Sequence, residues 1–189
     1  MFSFTPFPVI ATEKLILRRI SSEDQHDLFQ MRKDPRMHEH TDTKPDEKLT
    51  DTLLYIEKMK QGVAENKWII WAIEHRSSQK VIGTISVWGL NSEQRSGQLG
   101  YGIIPEYQGR GLMKEALLSV IDHSFKVIKL RTLEAYTEEA NVASIKLLES
   151  CHFKEQKRVE DKGYIQDRIY KMIVYRIGKE REGSSHESN

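Results

Sequence analysis

The segment over residues 100–116 constrains the fold more than any other part of the chain. It reads GYGIIPEYQGRGLMKEA, in which a strand stops at Pro105, a glycine-rich loop follows, and a helix begins near Gly111. A strand that leads straight into a helix opens a strand–helix–strand crossover, and such a crossover makes its two strands parallel. The next strand-like run covers residues 130–137. We therefore predict that strands 96–104 and 130–137 lie parallel near the middle of a sheet.

The rest of the chain supplies further strands and helices. Apolar alternation predicts strands over 13–20, 68–74, 80–88, 152–159 and 164–177. Caps and helical spacing predict helices over 21–32, 45–62, 111–125 and 141–150, the second beginning at Pro45. This order predicts a mixed α/β fold. We expect a single domain over residues 1–178, followed by a flexible polar tail over 179–189.

Charge and composition exclude several classes of protein. The 29 Lys and Arg residues nearly balance the 28 Asp and Glu residues, so we expect no direct binding to nucleic acid. No stretch approaches the roughly 20 apolar residues of a membrane-spanning helix, and the N-terminus lacks the pattern of a secretion signal. Cys151 is the single cysteine and cannot form an internal disulfide. We therefore expect a cytoplasmic protein without membrane contact.

The glycine loop has two interpretations on local chemistry alone. A helix N-terminus exposes unpaired N–H groups and a partial positive charge, which suits a phosphate. Gly109 and Gly111 would let phosphates approach the backbone closely. The segment is neither a P-loop nor a dinucleotide-binding fingerprint, because the required Gly-Lys-Ser/Thr and G-x-G-x-x-G patterns are absent. A phosphate site and an ordinary tight turn remain equal alternatives at this point.

Four ordered segments resemble the GNAT superfamily of N-acetyltransferases, and its RimJ/RimL-like branch of ribosomal-protein N-terminal acetyltransferases in particular. Residues 107–116 (YQGRGLMKEA) are similar to the motif that binds coenzyme A pyrophosphate, although Met113 occupies a position where the family has a small residue. Residues 141–153 are similar to an Asn-x-x-Ser … Gly-Phe pattern, with His152 in place of the glycine. Residues 12–19 and 163–170 resemble the first and last strands. The similarity covers residues 10 to 177.

The resemblance implies both a fold and a co-substrate. The fold would be a mixed, mainly antiparallel twisted sheet with a splayed central parallel strand pair and helices on both faces. The co-substrate would be acetyl-CoA, with its pantetheine arm between the splayed strands and no metal ion. The implied cofactor-binding residues are Ile103, Ile104, Gln108, Gly109, Arg110, Gly111, Leu112, Met113, Lys114, Asn141 and Ser144. Asn141 could equally be only the N-cap of its helix.

The resemblance also implies direct attack of an amine on the thioester, without an acyl-enzyme. Cys151 lies at a helix end, and we interpret it as a packed thiol. The tyrosine that many family members use as general acid is missing, because Leu147 and Leu148 occupy its region. Ser144 is the remaining candidate acid, with water or a purely structural serine as alternatives. Glu138 and Glu160 are the candidate bases, and either could instead be a solvated surface charge.

The acceptor is an amine of one of several kinds. An α-amine has a pKa of about 7.7–8.0 and needs less help from a base than a lysine amine near 10.4. The sequence shows no clear strong base, and this favours a protein N-terminus, such as that of a ribosomal protein, over a polyamine, amino acid or antibiotic. A non-catalytic acyl-CoA-binding module is a further alternative. The polar segment 33–48 would form part of the acceptor wall, and Trp88 either lines that cleft or packs in the core. We expect a monomer or a homodimer.

Overall fold

A computed structural model describes residues 2–178, and the predicted flexible tail over 179–189 lies outside them. The strands are β1 Ile10–Ala11, β2 Leu15–Arg19, β3 Ile69–His75, β4 Lys80–Asn91, β5 Ser96–Ile103, β6 Thr132–Glu138, β7 Lys154–Lys162 and β8 Ile169–Gly178. The helices are α1 Gln25–Arg32, α2 Leu49–Ala64, α3 Leu112–Lys126 and α4 Val142–Ser150. Across residues 2–178, no helix is both long enough and apolar enough to cross a membrane.

The strands form one eight-stranded sheet in the order β1-β2-β3-β4-β5-β6-β8-β7. Neighbouring strands are antiparallel except β5 and β6, which are parallel and lie inside the sheet. This arrangement confirms the predicted mixed α/β fold and its central parallel pair. The crossover from β5 to β6 runs through α3, as the order of strand, glycine loop and helix predicts.

The largest differences from the sequence prediction concern β1, β8 and α2. The two-residue strand β1 was not predicted, because two residues carry no periodic pattern. The last strand was predicted from residue 164 and begins at Ile169, since residues 163–168 form the loop after β7. The second helix was predicted from Pro45 and begins at Leu49. The carboxylate of Asp46 instead binds Arg32 at 2.7 and 2.9 Å and Thr52 at 2.6 Å.

The core lies on both faces of the sheet. Every residue from Ile69 to Ile73 in β3 is buried, so this strand has apolar neighbours above and below. Trp71 packs edge-on against His123 of α3 on one face, with ring centroids 5.8 Å apart. Helix α1 packs on β4 from the other face, where Asp27 accepts a hydrogen bond from the Val81 N–H at 2.9 Å. Each large apolar side chain buried in this way contributes about 1.5–3 kcal/mol.

The start of α3 is held firmly against the sheet. Its apolar face, including Ala116 and Leu117, is fully buried. In its first turn, the carboxylate of Glu115 accepts hydrogen bonds from the Thr12 hydroxyl at 2.5 Å and from the Lys14 N–H at 2.8 Å. These bonds tie the first turn of α3 to the chain just before β2. The glycine loop that precedes α3 therefore lies between two well-fixed elements.

Candidate active site

The central parallel pair separates along its length. The pairing of β5 with β6 ends at Leu99 and Ala135, although both strands continue. Strand β5 stays paired with β4 as far as Ile103, and β6 stays paired with β8 as far as Glu138. The sheet therefore divides in its middle, and residues 100–103 and 136–138 line a gap. We call this opening the strand gap.

Backbone groups of β5 face the strand gap without a partner strand. The N–H of Ile104 donates to the Ile82 carbonyl at 2.8 Å, so Ile104 bonds towards β4. Along an antiparallel pair, the N–H and C=O groups of successive residues point alternately towards and away from the partner strand. Because those of Ile104 point towards β4, those of Ile103 and Tyr101 point away from β4 and into the gap. The Ile103 carbonyl accepts a hydrogen bond from Gln108 Nε2 at 2.9 Å. An extended ligand could add here as a peptide adds to a sheet edge.

The loop at the end of β5 forms an open cradle. Gly109 and Gly111 have φ of 71° and 75°, in the left-handed region that glycine adopts most easily. A Cβ at either position would meet nothing within 4 Å, so both glycines border free space. Gly111 is the N-cap of α3, which leaves the first N–H groups of that helix, from Leu112 to Lys114, without helical partners. This geometry suits an anionic phosphate.

The side chains of this cradle fall into two groups. Those of Leu112 and Met113 are buried in the core, so these residues can offer a ligand only their backbone N–H groups. Arg110 and Lys114 are exposed, and the Arg110 guanidinium lies 5.2 Å from the centre of the Tyr107 ring. Two exposed cations therefore flank a fixed row of N–H donors. Both kinds of group attract a pyrophosphate.

Two hydroxyl groups connect β5 to α4 beside the strand gap. The side-chain oxygen of Asn141 accepts the Ser144 N–H at 3.1 Å, so Asn141 is the N-cap of α4. The Ser144 hydroxyl lies 2.7 Å from the Tyr101 hydroxyl. Burial raises the pKa of Tyr101 to about 12, which keeps the phenol protonated at neutral pH. Tyr101 was not among the predicted catalytic residues, because its contact with α4 depends on tertiary packing.

The opposite face of β5 is lined by glycines. A Cβ added to Gly100 would lie 2.9 Å from the Ser86 hydroxyl and 3.5 Å from Trp88 Nε1. A Cβ added to Gly102 would lie 3.2 Å from the Met37 side chain, which belongs to segment 33–48. Trp88 is 46% exposed on this face, so it does not pack in the core. We call this side the glycine face; the Tyr101 and Ser144 hydroxyls lie on the other side.

Glu138 and Glu160 occupy very different surroundings. Glu138 ends β6 and is 8% exposed; its carboxylate lies 2.7 Å from His40 Nδ1 and 3.4 Å from Arg168 Nη1. Glu160 is exposed on β7, at the edge of the sheet. Met172 of β8 pairs with Glu138 on one side and with Val159 on the other, so these three side chains lie on the same face of the sheet. Glu160 follows Val159 in β7, and its side chain therefore points to the opposite face. The structure places Glu138 at the strand gap and Glu160 away from it.

Segments 33–48 and 163–168 are clamped together beside Glu138. The Asp42 carboxylate accepts the N–H groups of Tyr164, Ile165 and Gln166 at 2.6, 3.0 and 2.8 Å. These bonds, led by that from Gln166, lower the pKa of Asp42. The Gln166 amide in turn donates to the Thr43 carbonyl at 2.7 Å. The two segments therefore form one continuous wall beside Glu138.

Comparison with known proteins identifies this arrangement. The model of the acetyltransferase (GNAT) domain family matches residues 14–154. The chain belongs to the GNAT acetyltransferase family. It is 28% identical over 176 residues to the uncharacterised N-acetyltransferase YoaA of Bacillus subtilis (strain 168), covering 93% of this chain and 99% of that one. The GNAT chain is thus an N-acetyltransferase that uses acetyl-CoA as its acetyl donor.

Solved structures of acetyltransferases share the fold. Spermidine N-acetyltransferase from Vibrio cholerae, in complex with CoA and spermine, has a TM-score of 0.77 at 21% identity, covering 88% of this chain and 96% of that one. Ribosomal-protein-S5-alanine acetyltransferase from Vibrio fischeri has a TM-score of 0.78 at 21% identity, covering 92% and 97%. At this identity the likeness concerns the fold. The two neighbours act on different classes of amine.

Two further features bear on the chemistry of this acetyltransferase. Cys151 is 1% exposed, and burial raises its pKa, so it is a packed thiol rather than an activated nucleophile. Within residues 2–178, no group of three or more His, Cys, Asp or Glu side chains could hold a metal ion. A cleft of about 270 Å³ lies where β5 and β6 begin, lined in part by Gln98, Glu134 and Arg176.

Proposed function

We propose that this GNAT enzyme acetylates the α-amine at the N-terminus of a protein or peptide, by direct attack within a complex of enzyme, acetyl-CoA and acceptor. The observation that carries the proposal is that β5 offers only backbone on the glycine face between the strand gap and Gln98, where the cleft begins. This track passes Gly102 and Gly100, with Met37, Ser86 and Trp88 beside it. Trp88 and Tyr136, which are 46% and 41% exposed, border it. The track spans four residues of an extended peptide, or about 13 Å.

Acetyl-CoA would occupy the cradle and the strand gap. Its pyrophosphate would accept hydrogen bonds from the N–H groups at the start of α3, beside Arg110 and Lys114. Its pantetheine arm would bond the backbone of Tyr101 and Ile103, which faces the gap. The side-chain oxygen of Asn141 caps α4, so its amide NH₂ remains for the cofactor arm. Gln108 would support this site by holding the Ile103 carbonyl.

Proton transfer and charge stabilisation would come from both sides of the gap. The amine nitrogen attacks the thioester carbon, and a backbone N–H of β5 donates to the developing oxyanion. The departing thiolate receives a proton from Ser144, whose hydroxyl is hydrogen-bonded to Tyr101. Tyr101, which is protonated at neutral pH, can pass its proton to the serine and then regain one from solvent. No acyl-enzyme is needed.

The charges around the glycine face favour a single amine over a polycation. Glu138 is paired with His40 and Arg168, and Glu134 is paired with Arg176. The carboxylate of Asp42 is already occupied by backbone N–H groups. A polyamine gains affinity from several free carboxylates, and these three already have partners. The spermidine enzyme among the structural neighbours keeps a small polyamine as the second candidate.

Thiol release from acetyl-CoA tests the proposal. The acceptor panel contains tetrapeptides with N-terminal Ser or Ala, the same peptides with blocked N-termini, spermidine, and a lysine blocked at its α-amine. We expect release with the free tetrapeptides, none with the blocked ones, and loss of all release in Gly111→Trp. Release with spermidine but with none of the peptides would show that the acceptor is a polyamine and not an N-terminal α-amine. Tight acetyl-CoA binding without any turnover would support a non-catalytic binding module.

The same proposal places the enzyme in the cytoplasm, where nascent and ribosomal proteins present free N-termini. The buried free thiol of Cys151 agrees with a reducing compartment.

A further inference from the structure

The carboxylate of Glu138 is poorly placed to accept a proton itself. It is 8% exposed, and both of its oxygens already have cationic or proton-donating neighbours. His40 Nδ1 lies 2.7 Å from Oε2, and Arg168 Nη1 lies 3.4 Å from Oε1. An acceptor amine would have to displace one of them to reach the carboxylate. We therefore expect the acceptor amine to contact a more exposed side chain of this cluster, and not Glu138 itself.

His40 is that more exposed residue. Its side chain is 26% exposed, three times the exposure of Glu138. Nδ1 contacts Glu138, while Nε2 makes no hydrogen bond to any of residues 2–178. His40 belongs to the same segment as Met37, which lies over Gly102 on the other arm of the strand gap. Segment 33–48 thus spans the mouth of the gap and holds the imidazole there.

The contact with Glu138 also sets the state of the ring. A carboxylate accepts a hydrogen bond and cannot donate one, so Nδ1 carries the proton. The neutral ring then has its lone pair on Nε2, the nitrogen left free. This is the arrangement in which a buried carboxylate orients a catalytic imidazole and stabilises its protonated form. Imidazole is the side chain whose ordinary titration lies closest to neutral pH, which suits a general base.

We propose that His40 is the general base for the acceptor amine and that Glu138 is its positioning residue. The inference rests on the proposed acetyl transfer. The acceptor ammonium gives one proton to His40 Nε2, and the resulting amine attacks the thioester carbon. A C–N bond forms and the C–S bond breaks. The nitrogen loses its second proton to solvent, the thiolate takes a proton from Ser144, and His40 later releases its proton to water.

Two charged side chains belong to this cluster beside His40. The Glu138 carboxylate contacts His40 Nδ1 directly, at 2.7 Å. Arg168 contacts the same carboxylate at 3.4 Å, and it is held there by a hydrogen bond to the Glu39 carbonyl at 2.7 Å and by the Tyr170 ring 4.0 Å away.

Steady-state rates test the proposal, with the N-terminal-Ser tetrapeptide as acceptor. His40→Ala should lose at least about a hundredfold in kcat at an unchanged KM for the tetrapeptide, and it should regain activity with added imidazole. Glu138→Gln can still accept the Nδ1–H bond but has no charge. It should therefore keep the ring in place and lose less kcat than His40→Ala does, again at an unchanged KM.

His38→Gln is the matched control. His38 lies in the same segment, but both ring nitrogens are engaged, with the Thr43 hydroxyl and the Arg32 carbonyl, each at 2.7 Å. Any loss of kcat in this variant should not be restored by imidazole. If His40→Ala stays within about threefold of wild type, or if imidazole fails to restore it, the proposed base is wrong.

A measurement on the enzyme alone separates this inference from the proposed function. Nitrogen-15 NMR of the imidazole should show the tautomer with hydrogen on Nδ1 in wild type. A proton on Nε2 of the neutral ring would overturn the dyad even if the enzyme is active. Failure of wild type to release thiol with any acceptor would refute the proposed function instead. An active enzyme with an unaffected His40→Ala variant would refute only the role of His40.

Discussion

Replacing Gly111 by alanine tests whether the glycine loop is the pyrophosphate site. Its φ of 75° is left-handed, and an L-residue there costs about 1–2 kcal/mol. Part of that cost is offset, because alanine also restricts the unfolded chain. We expect a net loss of about 1 kcal/mol, which lowers Tm by about 2–4 °C for a protein of this size. Nothing lies within 4 Å of the added Cβ, so no packing cost is added.

The same methyl group would stand where phosphate oxygens approach the N–H groups of α3. We expect acetyl-CoA to bind about tenfold more weakly, a change of about 1.4 kcal/mol. At a concentration 100 times the wild-type Kd, acetyl-CoA stabilises the wild type by about 2.7 kcal/mol. A tenfold weaker complex would gain only about 1.4 kcal/mol under the same conditions. The ligand-induced shift in Tm should therefore fall by about half.

Gly89→Ala is the control that separates backbone strain from the loss of acetyl-CoA binding. Gly89 has φ of 58°, and the atoms nearest to its added Cβ would belong to the Gln98 side chain, at 3.4 Å. Its ligand-free Tm should fall by a similar amount, while the shift with acetyl-CoA stays at the wild-type value. Thermal unfolding of the three proteins with and without acetyl-CoA decides the matter. An undiminished shift in Gly111→Ala would refute the loop as the phosphate site.

Four further predictions follow from individual contacts. Asn141→Asp should keep the α4 cap and Tm but raise KM for acetyl-CoA, whereas Asn141→Ala should also lower the unfolding free energy by about 1 kcal/mol. Tyr101→Phe should lower kcat about tenfold at unchanged acetyl-CoA affinity, because Ser144 loses its hydroxyl partner, a change of about 1.4 kcal/mol in steady-state assays. Trp88→Ala should raise KM for the tetrapeptides but not for a single-residue amide. Because its folded-state pKa is lowered, Asp42 stabilises the fold above its unfolded pKa of about 3.9, and this contribution disappears as pH falls through the lower folded value. Asp42→Asn should therefore lower Tm at pH 7 and differ less from wild type as the medium becomes more acidic.

The parts of the site that depend on local order could be predicted from the sequence. The strand, the glycine loop and the start of α3 are consecutive, so their chemistry is visible in residues 100–116. Asn141 likewise caps the helix that begins at the next residue. Ile104, in contrast, was grouped with Ile103 as a cofactor contact, and its N–H bonds to β4. The direction of a backbone group depends on strand register, which a single sequence does not show.

Segment 33–48, Trp88 and Glu138 were expected on the acceptor side, but the contacts that assemble this side could not be predicted, because they join distant parts of the chain. His40 and Glu138 are 98 positions apart, and Asp42 and Tyr164 are 122 apart. In the sequence, His40, Glu138 and Asp42 also look like ordinary polar residues of the surface. Asp46 shows the same limit in the fold: its position after Pro45 suggested a helix start, whereas its carboxylate binds Arg32. Tertiary contacts override local propensity at such positions.

The strand gap has a consequence for the protein without its co-substrate. Where β5 and β6 separate, each strand has an unpaired edge in the interior of the sheet, and unpaired edges readily pair with other chains. Acetyl-CoA would fill that space much as a missing strand would. The donor would then protect the polypeptide from self-association as well as supply the acetyl group, and the amides of Tyr101 and Ile103 should exchange hydrogen far more slowly in its presence.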